Sequence, residues 1–404
     1  MDISHLKTGD WMRERLTGLI DNMRKMPSTE LEQGKLEARR MADSQSRFVI
    51  PLGSDDDMRL KYSTAGGNVR FGRILEDLDI FAVWLCYLHD NGGEITDATQ
   101  PKHARTVVTG SVHRIDLQNF HFATNRDLIL DGHVSWTGGS SMQTTMRIYQ
   151  HNGKGSLEQM LKAKFVMVSR NTKEPQESMP VHPLSYPTPE EAMIFNQGVD
   201  DNLERRETDK KSVFRAPPLY EEFKLLHKKF YLQTRNKEGF VSRSKLPEDH
   251  IMFEDKPFCE TLVPCFPEYK NIYGKIFGGY LMSSAFELAA VCSKIFAKTS
   301  TEVIAVSDIV FRAPVEVGDI LALSAHITFT YGSFIQVRVQ AQVVNEKTFE
   351  RTTTNTFHFT FTTRNKSAVL QIMPDGYRQG IMYINGKRHM EDALKQRGYR
   401  MKLD

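Results

Sequence analysis

The chain has 404 residues, with 53 basic and 50 acidic side chains, a formal net charge of +3 and 10% aromatic content. That length sets a prior of two to three domains with ample material for packed cores, and the charge balance is too even for a nucleic-acid or membrane-surface protein. Cys86, Cys259, Cys265 and Cys292 show no CxxC spacing, which argues against zinc or a disulfide framework and predicts reduced, partly buried thiols.

Residues 1–44 open on MDISHLKTGDWMRERLTGLIDNMRKM, an amphipathic helical pattern. It lacks the apolar stretch of a secretory leader, and Asp2, Asp10, Glu14 and Asp21 are unlike an acid-poor organellar one. No stretch approaches the ~20 apolar residues of a membrane span, so no transmembrane segment is expected.

From residue 45 the chain repeats itself. VRFGRILEDLDIFAVWLCYLH (69–89) mirrors KIFGGYLMSSAFELAAVCSKIF (275–296), with Phe71-Gly72 set against Phe277-Gly278, 206 positions on. Upstream, FVIPL (48–52) mirrors TLVPC (261–265). Downstream, residues 125–149 mirror 317–341, so that Asp127 meets Asp319 and Ser141 meets Ser333, both 192 positions apart. Three blocks in one order mark an internal duplication. Each copy reads as a short strand, a glycine-marked helix and long strands of alternating polarity, as in antiparallel sheets with one wet face. The copies fall at 45–172 and 247–364. Between them, 173–246 is a Pro-rich crossover followed by charged, partly helical structure. The tail, 365–404, reads as a strand or loop followed by a helix.

Within NIYGKIFGGYLM (271–282), Gly278 and Gly279 stand at a helix entrance. Backbone N–H groups there point outward with the positive end of the helix dipole, and glycine lets a carbonyl approach without a Cβ in the way. The apolar run that follows carries one acid, Glu287. An unpaired buried carboxylate costs several kcal/mol, so a pair, a network or chemistry must offset it. Ser283, Ser284 or a facing cation would satisfy it equally well. There is no G-x-S-x-G elbow, HExxH, P-loop or G-x-G-x-x-G, so serine hydrolases, zinc peptidases and nucleotide enzymes are set aside. No cofactor and no metal ligand set is expected.

The 271–282 motif, an asparagine with a glycine three positions on and then Phe-Gly-Gly, resembles the hotdog fold of the acyl-coenzyme A thioesterases, duplicated in one chain. GRILEDLDIFAVWLCYLH and GYRQGIMYINGKR look especially like the mitochondrial acyl-coenzyme A thioesterase 9 branch. The resemblance implies an α+β double hotdog, each copy a long helix wrapped by a curved antiparallel sheet. It implies hydrolysis of acyl-CoA to free fatty acid and coenzyme A between the two domains, with non-catalytic acyl-CoA binding or an oligomerisation module as the alternative. It also implies a homo-oligomer, a trimer of double hotdogs, and a mitochondrial or otherwise cytoplasmic location.

In such sites one copy supplies the asparagine and the other the acid. Asn271 corresponds to Ala65 and Gly279 to Arg73, so the second copy alone carries the full amide and glycine equipment. The resemblance makes Gly278, Gly279 and Gly72 substrate-binding and Asn271 catalytic, though a loop-capping Asn271 remains open. The family's acid lies seven positions after the second glycine. Counted from Gly72 that is Asp79; counted from Gly279 it is Phe286, one short of Glu287. Asp79 is therefore the expected base for the complete site, and Glu287 serves the reciprocal one.

Overall fold

The computed structural model describes residues 6–26, 35–93, 95, 103, 105–119, 122–174, 176–237, 240–243, 246–253, 258–271, 274–307 and 309–401. The chain divides into two compact units. The first takes in Met1–Leu203, Pro264–Ser284 and Asp308–Asp319; the second takes in Glu204–Val263, Ala285–Ser307 and Ile320–Asp404.

In the first unit, strands β1 (Ser46–Ile50), β2 (Arg105–Leu117), β3 (Leu128–Thr137), β4 (Ser141–His151) and β5 (Leu157–Asn171) form an antiparallel sheet in the order β2-β5-β4-β3-β1. Helix α1 (Gly9–Lys25) buries Met12, Leu16, Leu19 and Met23, the three- and four-residue spacing of one helical face. Its Thr8 cap accepts the Trp11 N–H. A short helix, α2 (Asp56–Tyr62), leads to the long α3 (Phe71–Asn91). Helix α3 is apolar nearly all round because sheet and helix cover it from several sides. Phe48 meets Phe81 and Trp84 edge-on at 5.8 and 5.6 Å, and Trp11 meets Trp84 at 5.8 Å. Gly92 ends α3 in the left-handed region, φ 74°, where its N–H closes on the Leu88 and His89 carbonyls.

The crossover contains two helices, α4 (Pro189–Lys210), with proline at its first position, and α5 (Tyr220–Gln233). In the second unit, β6 (Cys259–Pro264), β7 (Thr301–Val306), β9 (Ile320–Tyr331), β10 (Phe334–Val344) and β11 (Arg351–Thr363) run in the order β6-β9-β10-β11-β7. The two-residue β8 (Ile309–Val310) belongs to the first unit and pairs with β2. Strands β3 and β9 start 192 positions apart, at Leu128 and Ile320, the spacing of the repeated blocks.

Helix α6 (Gly278–Ala297) is the counterpart of α3. Against the expectation of no spanning-length apolar segment, its most apolar window averages a hydropathy of 1.2, and 50% of that window is buried in the protein. A core helix has the same composition. In the tail a strand at Gln371–Pro374 is followed by α7 (Tyr377–Lys395), which runs through Gly380 and Gly386. Gly386 is there for contact: a Cβ on it would lie 2.5 Å from Thr328 Oγ1. All four cysteines are reduced, three of them buried.

Phe286 anchors the second unit, packing on Phe359 at 5.6 Å and Phe361 at 6.0 Å. Phe286→Ala should cost about 3–5 kcal/mol. A chemical-denaturation midpoint equal to wild type would contradict this packing.

Candidate active site

The start of α6 and the third turn of α3 meet within the first unit. Asp79 is 1% exposed. Its Oδ2 accepts the Gly279 N–H at 2.7 Å and its Oδ1 accepts the Thr109 hydroxyl at 2.5 Å. Burial pushes the carboxyl up to about 6. The bonds from Thr109 and Gly279 oppose that rise, and the charge of Glu76 adds to it.

Thr109 reaches Asp79 because β2 is irregular there. Its register against β5 shifts between Thr109 and Ser111, with Gly110 as the extra residue, and such a bulge re-aims a strand side chain. The Gly110 carbonyl also accepts the Phe311 N–H, 3.2 Å away, which brings the Phe311 ring over Gly278. A Cβ on Gly278 would lie 3.1 Å from the tip of that ring. A Cβ on Gly279 would lie 2.9 Å from Asp79 Cβ and 3.0 Å from Glu76 Cα. Gly279 is thus required by the close approach of α6 to α3. The Gly278 N–H has no acceptor among the described residues.

Glu76, one turn before Asp79, is half-buried. It accepts from Arg73 Nη1 at 2.6 Å, and the Ser283 hydroxyl on α6 favours its ionised form. Burial pushes its carboxyl up, against the pull of Arg73 and Ser283. Asp77 faces another way: Tyr62 donates to it at 2.5 Å and Arg13 of α1 pairs with it.

The remaining candidates are placed as follows. Asn271 lies in the same unit, and its Oδ1 accepts the Lys275 N–H at 3.1 Å, closing the loop that leads into α6. Of the two readings open for this residue, that bond is the loop cap. Gly72 is buried in the first turn of α3, next to Arg73, which stands where α6 has Gly279. Glu287 belongs to the second unit and is half-buried, while its neighbour Phe286 takes the core position. The Ser283 hydroxyl favours the ionised form of Glu76, and the Ser284 hydroxyl that of Tyr280. The structure therefore joins Asp79 with Gly278 and Gly279 within the first unit. Sequence reasoning missed Thr109; the glycine inside an otherwise regular strand pattern, Thr109-Gly110-Ser111, was the available signal. A cavity of about 380 Å³ opens elsewhere in the first unit, beside Trp11, Phe48 and Trp84, and is not lined by Asp79 or the glycines.

One long helix packed against an antiparallel sheet, built twice, is the tandem hotdog architecture. No protein-family profile matches the chain. It is 36% identical over 357 residues to human "acyl-coenzyme A thioesterase 9, mitochondrial", covering 88% of this chain and 79% of that one. It is 37% identical over 360 residues to the bovine protein of the same name, covering 89% and 80%. Identity to "acyl-coenzyme A thioesterase 2, chloroplastic" of Humulus lupulus is 30% over 363 residues, covering 87% and 79%. Among solved structures, an acyl-coenzyme A hydrolase from Staphylococcus aureus in complex with butyryl coenzyme A matches 34% of this chain and 87% of its own, at 22% identity and a TM-score of 0.33. An acyl-ACP thioesterase from Bacteroides thetaiotaomicron matches 80% and 99%, at 10% identity and a TM-score of 0.45. The chain belongs to the acyl-coenzyme A thioesterase family, in the branch of mitochondrial thioesterase 9.

The two glycines differ in what a methyl group would meet. Gly279→Ala presses on the α3 backbone and should cost most of the activity, whereas Gly278→Ala presses only on a ring that can tilt and should cost far less. Equal kcat/KM for the two variants would refute the close-approach account of Gly279.

Proposed function

We propose that the chain hydrolyses acyl-coenzyme A thioesters to fatty acid and coenzyme A, with Asp79 as general base. The observation that carries this assignment is the buried Asp79 carboxylate, held by Thr109 and the Gly279 N–H at the mouth of α6. Each of its oxygens keeps a second lone pair for a proton of water. Water attacks the thioester carbon and gives its proton to Asp79, while the carbonyl oxygen gains negative charge. The Gly278 N–H, first in its helix, is the proposed donor to that oxygen, an interaction typically worth about 3–4 kcal/mol. The carbon–sulfur bond then breaks, and the thiolate takes back the proton held by Asp79. A thiol with a pKa near 8.5 is an undemanding leaving group, so a strong acid is unnecessary. Asn271 fixes the loop that delivers the two glycines.

Only the ionised base works. The free-enzyme profile of kcat/KM should therefore fall on the acid side, with a limb near pH 6, and level off above it. Asp79→Asn should lose about 10²- to 10⁴-fold in kcat with size and shape kept. Asn271→Ala should lose a comparable part, and the double variant should be little worse than either, because residues acting as a unit are non-additive. Glu287→Gln should change turnover least. The assay is thiol release from acetyl-, octanoyl- and palmitoyl-coenzyme A, with a small oxygen ester as control. Equal rates on the oxygen ester, or a silent Asp79→Asn, would overturn the assignment.

We also propose a homotrimer of double hotdogs, as the family resemblance implies, and the mitochondrial location carried by the names of the human and bovine relatives. Light scattering at micromolar concentration should give about three times the chain mass, and a monomer there would refute it.

A further inference from the structure

We propose that Glu76, held by Arg73 where α3 meets the start of α6, is a positioning residue for the reaction at Asp79: it sets a negative charge one helical turn from the base. This rests on the reading of Asp79 as the base. The geometry is that of two carboxylates on one face of α3, three residues apart, meeting one face of α6. Asp79 takes the Gly279 N–H, and the Ser283 hydroxyl, four residues further along α6, favours the ionised form of Glu76. Glu76 Cα also sits 3.0 Å from the point where a Gly279 Cβ would be, so the same residue sets the depth of the contact.

The charges around this pair decide the sign of its effect. On α3, Arg73 contacts Glu76 directly, while Asp77 is neutralised by Arg13 of α1. From the α6 side, the groups that feel Glu76 are Tyr280 and, in the loop before α6, Tyr269, whose ring stacks on Tyr280 at 3.9 Å. Both phenols are pushed up, Tyr280 chiefly by burial and Tyr269 chiefly by its bond to Glu268, and stay neutral at working pH. Strand β2 contributes only the neutral Thr109. The balance at Asp79 is therefore set by Glu76, which raises its proton affinity, and by Arg73, which offsets that charge.

The two partners should consequently shift the reaction in opposite directions. In Glu76→Gln the size of the side chain is kept but the charge is gone, and the acid limb of kcat/KM should move down by about one pH unit. In Arg73→Gln, Glu76 stands uncompensated and the limb should move up. The measurement is the pH dependence of octanoyl-coenzyme A hydrolysis from pH 5 to 9, on variants with wild-type circular dichroism, with Asp79→Asn alongside. An unmoved limb in Arg73→Gln and Glu76→Gln, with Asp79→Asn inactive, overturns the role of Glu76 and leaves the base in place. A wild-type limb in Asp79→Asn overturns the base assignment and this role together. If Glu76→Gln fails to fold, the direction of the Arg73→Gln shift decides alone.

Discussion

The site depends on the burial of one charge. Asp79 is taken out of water, and its ionised form survives there because two donors meet it from two different elements, a strand bulge and a helix start. Neither donor is supplied by α3 itself. The carboxylate thus holds together segments far apart in the chain, residues 79, 109 and 279, and their mutual geometry follows from satisfying it. The absence of a Cβ at position 279 is the steric condition that lets α6 come within reach. A glycine at a helix start is usually explained by conformational freedom, but here contact distance decides.

The duplication was legible in the sequence because strand pairs kept their spacing. The blocks 192 positions apart are β3 and β9, and the Asp127 and Asp319 side chains stand just before the two strands, each accepting a backbone N–H from a nearby turn. The helices were legible from their glycines and apolar runs. What the sequence left open turned on contacts between residues far apart in the chain. Thr109 gave only a faint signal, since a threonine in a strand is ordinary until a bulge turns it. Asn271 was open between substrate and loop because both uses ask for an amide. Glu287 was conspicuous as a lone acid, yet one position moves a residue by 100° around a helix. That step separates the half-buried Glu287 from Phe286, which is in the core. The same step explains why the two copies have diverged in use. At the 206-position offset of the repeat Asp79 corresponds to Ala285, so the second copy has no acid there, and the next residue, Phe286, packs on Phe359 and Phe361.

Energetics explain why such a carboxylate is confined to one place. Its folded pKa of about 6 lies above the ordinary aspartate value of 3.8, a gap that corresponds to roughly 3 kcal/mol against folding at neutral pH. The sign is that of a raised acid: the cost is absent below about pH 4, where the group is protonated in both states, and complete once pH exceeds about 6. A buried asparagine would escape the charge penalty. However, its Nδ2 would face either the Thr109 hydroxyl or the Gly279 N–H, donor against donor for the latter, so part of the gain would be lost. The two donors therefore specify an acid even though an acid is the more expensive residue to bury.

On the proposal that Asp79 is the base, the same numbers set the division of labour in the reaction. A base with a pKa near 6 is almost wholly ionised at neutral pH, yet basic enough to take a proton as water attacks. The departing thiolate, with its conjugate acid near 8.5, is the stronger base of the two, so the return of the proton from Asp79 to sulfur runs downhill. One carboxylate can thus act in both directions of the proton transfer without a second titrating residue. An alkoxide leaving group would ask for far more assistance than this site provides. Thioester selectivity then follows from the basicity of a single residue, set by its burial and by the charges one turn away.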